Sequence, residues 1–219
     1  RPLSHLDEVK YIEMSENVGR ATLRNRLAEE AQYDNLLFLD GDSMPVNRNF
    51  LCNYLPFCAD KMVVFGGRKY HKERPEDPTR VLHWYYGRAR EALPVKKRRK
   101  HPYRSFHSNN FLVHRKVFQQ VSFDETIKKY GHEDALFAAR LKEENIPIIH
   151  LDNPVYHLGI EQVEEFLSKH KSAVQNLVAL HKKGIELPNR MMQTYQMLSY
   201  LGAKLWIPMF FRSEERRVG

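Results

Sequence analysis

The feature that most constrains the fold is an apolar run that ends in two carboxylates. The run is Leu36-Leu37-Phe38-Leu39, and Asp40-Gly41-Asp42 follows directly. Consecutive large apolar residues bounded by polar ones are typical of a strand that is buried on both faces, as in a parallel sheet. Ligands of α/β proteins bind at the carboxyl ends of such strands. The segment therefore predicts an α/β sheet with a binding site at the end of this strand.

Asp40 and Asp42 place two anionic donors at one point, and Gly41 between them allows a tight turn and close approach of a ligand. Hard divalent cations such as Mg²⁺ or Mn²⁺ prefer carboxylate oxygens and commonly serve a phosphate. One interpretation of the segment is a metal–phosphate site. The other is an ordinary polar turn, because Asp residues are frequent in turns.

Strand patterns alternate with helix patterns along the chain. We predict strands at 9–13, 35–39, 62–65, 110–114 and 146–150, and helices at 20–32, 47–58, 80–91, 116–121, 132–144 and 161–183. Such alternation indicates βαβ units. The predicted fold is α/β and Rossmann-like: a mixed, mainly parallel sheet flanked by helices, with a C-terminal helical extension.

Composition and charge narrow the class of protein. The chain has 219 residues, of which 42% are hydrophobic and 11% aromatic, so it can form a buried core. Its two cysteines form no Cys-x-x-Cys pair, which favours a reducing, cytoplasmic compartment. The net charge is +8, but five positive charges lie in the single run Lys96–Lys100. A nucleic-acid-binding module would spread its cations over a face, so this pattern argues against one.

The second motif is Gly131-His132-Glu133-Asp134, at the start of a predicted helix. Apolar residues follow Asp134 at positions 137, 138 and 141, so Asp134 lies at the head of the apolar face. Partial desolvation there would raise the pKa of Asp134 and make it a better proton acceptor. The alternative is an acidic residue that only stabilises the helix N-terminus.

Several motifs occur in one order between about Val9 and Gly159. They are Asn17-x-Gly19-Arg20, Arg24-Asn25, Asp40-Gly41-Asp42, Asn109-Asn110 and Gly131-His132-Glu133-Asp134. This order resembles that of the inverting family 2 glycosyltransferases of GT-A fold. The resemblance implies transfer of a sugar from a UDP- or GDP-linked donor to an acceptor hydroxyl, with inversion, in the synthesis of bacterial surface glycans.

The resemblance also implies a role for each residue. Asp42 would bind a divalent metal, Mn²⁺ or Mg²⁺. Asp40 would contact the metal and the ribose or sugar of the donor, and His157 would complete the metal site. His157 could instead be a structural strand histidine, with His150 or His114 as the ligand. Asp134 would be the catalytic base, and Glu133 would orient the acceptor or donor. The residues implied to bind the donor are Asn17, Arg20, Arg24, Asn25, Asp40, Asn109 and Asn110.

The same resemblance predicts how the chain is organised. Residues 1–160 would form a GT-A domain that lacks its first strand–helix–strand unit, and with it part of the nucleotide pocket. Residues 161–211 would form the helical extension, whose part at 191–211 suits a membrane surface or a partner. Residues 212–219 resemble the translation of a sequencing adapter, and we interpret them as a non-native tail.

The expected partners are a nucleotide-diphosphate sugar donor, a glycan or lipid-linked acceptor and, peripherally, the inner face of the cytoplasmic membrane. We interpret the basic segment 94–102 as a solvated loop; closure over the diphosphate or contact with anionic lipid are the alternatives. Two other functions stay open. One is a catalytically inactive sugar-binding homologue, and the other is a haloacid-dehalogenase-type phosphatase, in which a strand also ends in Asp-x-Asp.

Overall fold

The structure is a computed structural model that describes residues 9–58, 61–127 and 131–185, together with Leu187, Thr194, Met197 and Tyr200. The chain divides into two compact units, Arg1–Glu186 and Leu187–Gly219. The segment 191–211, predicted to suit a membrane surface or a partner, and the tail 212–219 lie almost wholly outside the described residues. Within the described part of the chain, no helix is long and apolar enough to cross a membrane.

The first unit contains six α-helices and seven strands among its described residues. The helices are α1 (Arg20–Glu30), α2 (Val81–Tyr86), α3 (Val95–Arg98), α4 (Arg115–Gln120), α5 (Glu133–Glu143) and α6 (Val163–Lys182). The strands are β1 (Asn35–Leu39), β2 (Ser43–Pro45), β3 (Val63–Phe65), β4 (Arg68–Lys69), β5 (Asn110–His114), β6 (Ile148–His150) and β7 (Val155–His157). A π-helical turn at Gly87–Glu91 continues α2.

The strands form two sheets, with orders β1-β5-β3-β6 and β2-β7-β4. The predicted mixed α/β architecture with flanking helices is confirmed. The sheets are less parallel than expected, because β5 runs antiparallel to both of its neighbours. Among the described strands, the parallel pairs are β3 with β6 and β4 with β7.

The core lies on β3 and β5 rather than on β1. All three residues of β3 are buried, and the first four residues of β5 are buried as well. Strand β1 alternates instead, with Leu36 and Phe38 inward and Leu39 42% exposed. The prediction that β1 is buried on both faces is therefore wrong, because β1 lies at the end of the described sheet.

Two predicted elements are absent from the described structure. Residues 9–13 form no strand, and residues 47–58 form turns with one 3-10 turn at Leu55–Phe57 instead of a helix. The buried Asn153 amide accounts for the second difference. It donates to the carbonyl of Phe50 at 2.9 Å and accepts from Asn53 at 2.9 Å, which fixes the turn against the sheet.

The basic run is not a solvated loop, as α3 carries Arg98 into the interior. The Arg98 side chain is 3% exposed, and its guanidinium donates to the carbonyls of Phe65, Gly66 and Leu151 at 3.0–3.3 Å. Burial lowers the pKa of Arg98 to about 10. Arg98 thus anchors the run to the ends of β3 and β6, while Lys96 and Lys97 face solvent.

Candidate active site

The Asp-Gly-Asp loop connects the two sheets. It follows β1 directly, and its turn is closed by the Ser43 amide, which donates to the Asp40 carbonyl at 3.0 Å. The Asp40 amide donates to the Asn109 carbonyl at 3.0 Å, just before β5. A Cβ atom added at Gly41 would meet no described residue within 4 Å, so this face of the loop is open in the part of the chain that the structure describes.

A buried arginine joins this loop to the start of α5. Arg24 Nη2 lies 2.8 Å from Asp40 Oδ1, and Arg24 Nη1 lies 3.7 Å from Glu133 Oε1. Arg20, one helical turn earlier on α1, reaches the same Glu133 oxygen at 3.8 Å. The structure therefore brings the Asp-Gly-Asp loop and the Glu-Asp motif into one site.

Asp42 is paired with His157, at the end of β7. Asp42 Oδ2 and His157 Nδ1 are 3.4 Å apart, a distance typical of a charge contact rather than a short hydrogen bond. The proximity of His157 has the largest effect on the carboxyl and lowers the pKa of Asp42, although burial opposes it. The Leu158 amide donates to the Asp42 carbonyl at 2.8 Å, so the chain after β7 holds the loop.

The predicted metal triad of Asp40, Asp42 and His157 is not assembled. Among the described residues, no group of three or more His, Cys, Asp or Glu side chains is arranged to hold a metal ion. Asp40 is instead engaged with Arg24. The competing histidines have other contacts: His150 lies between Arg98 and the Pro102 carbonyl, and His114 accepts from the Lys116 amide.

Asp42 and His157 alone still fit a divalent cation. Asp42 Oδ1 and His157 Nδ1 are buried atoms with no hydrogen-bond partner in the described structure. Mg²⁺ in phosphate-binding sites is commonly held by one or two carboxylates, with substrate phosphates and water as the remaining ligands. Imidazole is also a ligand for transition metals. The pair therefore suits a metal that is shared with a diphosphate.

Asp134 lies at the start of α5, after a turn with Gly131 and His132 in left-handed conformations, φ 95° and 73°. Asp134 Oδ1 accepts from the Ala135 amide at 2.8 Å, and His107 Nδ1 lies 3.4 Å from Asp134 Oδ2. Burial has the largest single effect and would raise the pKa of Asp134, but His107, His132 and the Ala135 amide together outweigh it, and the pKa falls to about 2. The predicted direction was wrong because His107 could not be placed from the sequence.

Glu133 behaves in the opposite way. Its side chain is 8% exposed, and burial together with the charge of Asp134 raises the pKa of Glu133, although Arg20 and Arg24 oppose the shift. The two neighbouring carboxyl groups thus differ in proton affinity, with Asp134 the more readily ionised.

The four asparagines of the predicted donor site occupy different environments. Asn17 accepts from the Gly19 amide at 3.1 Å, ahead of α1. Asn25 binds the backbone of Phe123 through both amide atoms. Asn110 is likewise used internally, by Tyr54 and by two backbone carbonyls. Asn109 differs: it is 2% exposed, and within the described structure neither of its amide atoms has a partner.

Sequence reasoning missed a cluster of Arg68, Tyr70 and Glu91 beside the site. Arg68 Nη1 lies 2.6 Å from Glu91 Oε2, and the Tyr70 hydroxyl donates to the same oxygen. Burial alone would raise the pKa of Glu91, but Arg68, His107 and Tyr70 together outweigh it, and the pKa falls to about 2. Arg68 also helps to lower the pKa of Asp42. No spacing rule links these residues, because they come from β4, the segment after it and the π-helical turn.

The fold and site define an α/β protein with carboxylates, arginines and histidines gathered where its strands end. The family model described as "Glycosyl transferase family 2" matches residues 3–122, which is more than half of the chain. The chain therefore belongs to glycosyl transferase family 2, as its motifs predict. The matched region includes Arg24, Asp40 and Asp42, whereas Asp134 and His157 lie beyond it. Family membership does not support the phosphatase alternative.

One similar solved structure is the crystal structure of glucosyl-3-phosphoglycerate synthase from Mycobacterium tuberculosis in complex with Mg²⁺ and uridine diphosphate. It has 16% sequence identity and a TM-score of 0.48, and the match covers 84% of this chain and 59% of that one. The chain thus spans less than two thirds of that protein. No curated protein matches the chain.

Proposed function

We propose that the chain is the catalytic part of a glycosyltransferase that moves a sugar from a UDP- or GDP-linked donor to an acceptor hydroxyl. The observation that carries this proposal is Arg24, which contacts Asp40 and Glu133 and so joins the two acidic motifs of a family 2 member. A sugar transferase needs one group for the leaving diphosphate and another for the attacking hydroxyl, and the two motifs supply them side by side.

Asp42 and His157 are the proposed metal ligands, with Mn²⁺ or Mg²⁺ as the metal. The bound cation would supply Lewis-acid stabilisation of the charge on the diphosphate. Asp40 is the proposed contact of the donor ribose or sugar, in an orientation that Arg24 fixes. Arg20 is half exposed at the same site and is suited to phosphate oxygens. Asn109 has an uncommitted buried amide and completes the proposed donor set.

Asp134 is the proposed general base. It accepts the acceptor proton as the hydroxyl oxygen forms a bond to the sugar C1 and the bond from C1 to the diphosphate oxygen breaks. A single displacement of this kind inverts the configuration at C1. Asp134 is ionised at neutral pH because its pKa is low. Glu133 is the proposed orienting group, held by the two arginines of α1.

Three of the asparagines support the structure of the site in this proposal and do not bind the donor: Asn17, Asn25 and Asn110. Their amide groups are engaged with protein atoms, so they shape the site through the backbone. The proposed setting is bacterial surface glycan synthesis at the cytoplasmic face of the membrane, with a glycan or lipid-linked acceptor. The exposed lysines of the basic run suit contact with anionic headgroups there.

A nucleotide-sugar screen tests the proposal. The full chain is incubated with UDP- and GDP-sugars and Mn²⁺, and release of nucleoside diphosphate is measured with and without simple glycan acceptors. We expect release with one donor class, and loss of release in Asp42→Ala. Asp34→Ala is the matched control, since Asp34 precedes the other end of β1 and its side chain is 72% exposed. No release with any donor would instead favour the inactive homologue.

A further inference from the structure

We propose that His107 is a positioning residue for Asp134, which fixes the orientation of this carboxylate and stabilises its charged form. The inference rests on the proposed function, because it concerns the group that we assign as general base. His107 belongs to no motif of the sequence, and its assignment comes from the folded geometry alone.

The Asp134 carboxylate is held from two sides. The Ala135 amide donates to Oδ1 at 2.8 Å, and the His107 ring places Nδ1 at 3.4 Å from Oδ2. The His107 ring is itself packed against the Phe65 ring, with 6.0 Å between centroids. Restraint at both oxygens limits rotation of the carboxylate, which favours a single orientation toward an acceptor.

The backbone around His107 is also fixed. Its neighbours Phe106 and Ser108 are 3% and 5% exposed, and the following Asn109 carbonyl accepts from the Asp40 amide. The same short segment thus contacts the base through His107 and the Asp-Gly-Asp loop through Asn109. This connection fixes the position of Asp134 relative to the Asp-Gly-Asp loop.

The surrounding charges explain the effect on Asp134. Glu133 repels the charged form of Asp134, while His132 and His107 favour it, and His107 has the larger effect. His107 in turn faces the Glu91 carboxylate and the titratable ring of His150. Because burial opposes ionisation of Asp134 and His107 is the main group that offsets it, loss of His107 would raise the pKa of Asp134. A base works in its deprotonated form, so loss of His107 would move the acid limb of the rate profile to higher pH.

Three variants separate positioning from packing. His107→Asn places an amide N–H near the position of Nδ1, His107→Gln places it near Nε2, and His107→Leu removes the donor. His101→Leu is the control, because His101 is exposed in the same region. Folding of each variant is checked by circular dichroism and amide NMR spectra before any comparison.

The first readout does not depend on turnover. The ¹³Cγ resonance of Asp134, identified by its absence in Asp134→Asn, is followed from pH 8 to pH 4 in the full chain. We expect no titration in the wild type, His101→Leu and His107→Asn, and a titration that begins within this range in His107→Leu and His107→Gln. An Asp134 carboxyl that stays ionised over this range in His107→Leu would overturn the proposal.

The second readout is sugar transfer, if the donor screen finds a substrate. We expect kcat to fall by about 10- to 100-fold in His107→Leu, with unchanged donor affinity and partial recovery in His107→Asn, as for other orienting partners. Wild-type kcat and pH profile in His107→Leu would contradict the proposal. Failure of the proposed function looks different: no variant transfers sugar, yet the carboxyl titration still reports whether His107 controls Asp134.

Discussion

Two carboxylate–imidazole pairs lie in the site, and they differ in what the second carboxylate oxygen does. Asp42 with His157 and Asp134 with His107 have the same separation, 3.4 Å. Asp134 uses its other oxygen to accept from the Ala135 amide, whereas Oδ1 of Asp42 is buried with no hydrogen bond in the described structure. The Asp134 carboxylate is therefore contacted at both oxygens, whereas Asp42 has one oxygen available for a ligand.

The supporting elements differ as well. The Asp42 pair is held by the chain that follows β7, while the turn before Asp134 is held by α6. Asn176 donates to the Gly131 carbonyl at 2.6 Å, and a Cβ atom at Gly131 would lie 2.7 Å from the Ala173 side chain. Helix α6 falls within the predicted C-terminal extension, and in the structure it contacts the turn before Asp134 and lies in the first unit. The predicted boundary at residue 160 remains a prediction.

The largest expected effect comes from a substitution of Asp134, which changes one of the two pairs and leaves the other intact. Asp134→Asn should lower sugar transfer by about 10²- to 10⁴-fold, since it removes the proposed proton acceptor. Donor binding should be unchanged, because the proposed donor contact is made through Asp42. Steady-state rates and UDP affinity, measured on the same preparation, separate the two effects. Asp152→Asn, at an exposed position, is the control, and retained transfer in Asp134→Asn would rule out this residue as the base.

The next largest expected effect comes from Arg24, which joins the two acidic motifs through Asp40 and Glu133. Arg24→Ala leaves Asp40 and Glu133 without their buried partner, which typically costs about 3–5 kcal/mol of unfolding free energy. Urea denaturation measures the change. Arg26→Ala, an exposed arginine on the same helix, should change stability by less than about 0.5 kcal/mol. Equal effects of the two substitutions would show that the Arg24 contacts are not formed.

A pH titration extends the comparison to His150, whose contacts in the described structure are with Arg98 and the Pro102 carbonyl rather than with a carboxylate. Burial lowers the pKa of His150 to about 4, below the value of about 6.5 in the unfolded chain. Protons therefore favour the unfolded state, so His150 has no destabilising effect above pH 6.5, and stability falls as the pH drops from 6.5 to 4. The loss is about 3 kcal/mol at most.

Denaturant midpoints at pH 7.5, 5.5 and 4.5 measure this loss. Burial also lowers the pKa values of His83 and His132, so they contribute in the same direction. His150→Asn should therefore reduce the slope rather than abolish it. If the wild-type protein became more stable as the pH was lowered from 6.5 to 4.5, the neutral, buried state of His150 would be contradicted.

The smallest expected effect tests the space around Asp42. A Cβ atom at position 159 would lie 2.3 Å from Asp42 Oδ2, so Gly159→Ala forces the carboxylate or the chain after β7 to move. Overpacking of this kind costs about 1–3 kcal/mol. Gly41→Ala adds the same methyl group into open space beside Asp42 and should be within about 0.5 kcal/mol of the wild type in stability. Thermal unfolding of both variants gives the comparison; equal midpoints would refute the close contact.

Much of the fold follows from local pattern. Helices α1, α4 and α5 and strands β1 and β5 lie within about two residues of their predicted positions, because each has a clear periodicity or an apolar run. The exposure of one face of β1 was not predictable, since an apolar run does not tell whether its strand is central or at the end of a sheet. The burial of Arg98 was equally hidden, because a basic run is normally solvated.

The sequence pattern singles out the carboxylates of the candidate site, but it does not reveal the residues that contact them. Asp42 and Asp134 stand out in the sequence as polar residues next to apolar patterns. His107 is 27 positions from Asp134, and its approach depends on how β5 and α5 pack. The pKa of Asp134 is set by that approach, so even its direction could not be obtained from the sequence. The same applies to Asn25 and Asn110, whose amide groups serve the backbone.

The central claim is that Asp42 and His157 bind a metal together with a nucleotide diphosphate. Isothermal titration of UDP and GDP into the full chain, with Mn²⁺ and with EDTA, tests it most directly. We predict that one nucleotide binds only when Mn²⁺ is present, and that Asp42→Asn and His157→Leu abolish binding while Asp34→Asn retains it. Nucleotide binding that is unchanged in EDTA or in Asp42→Asn, or no binding by the wild type, would contradict the claim.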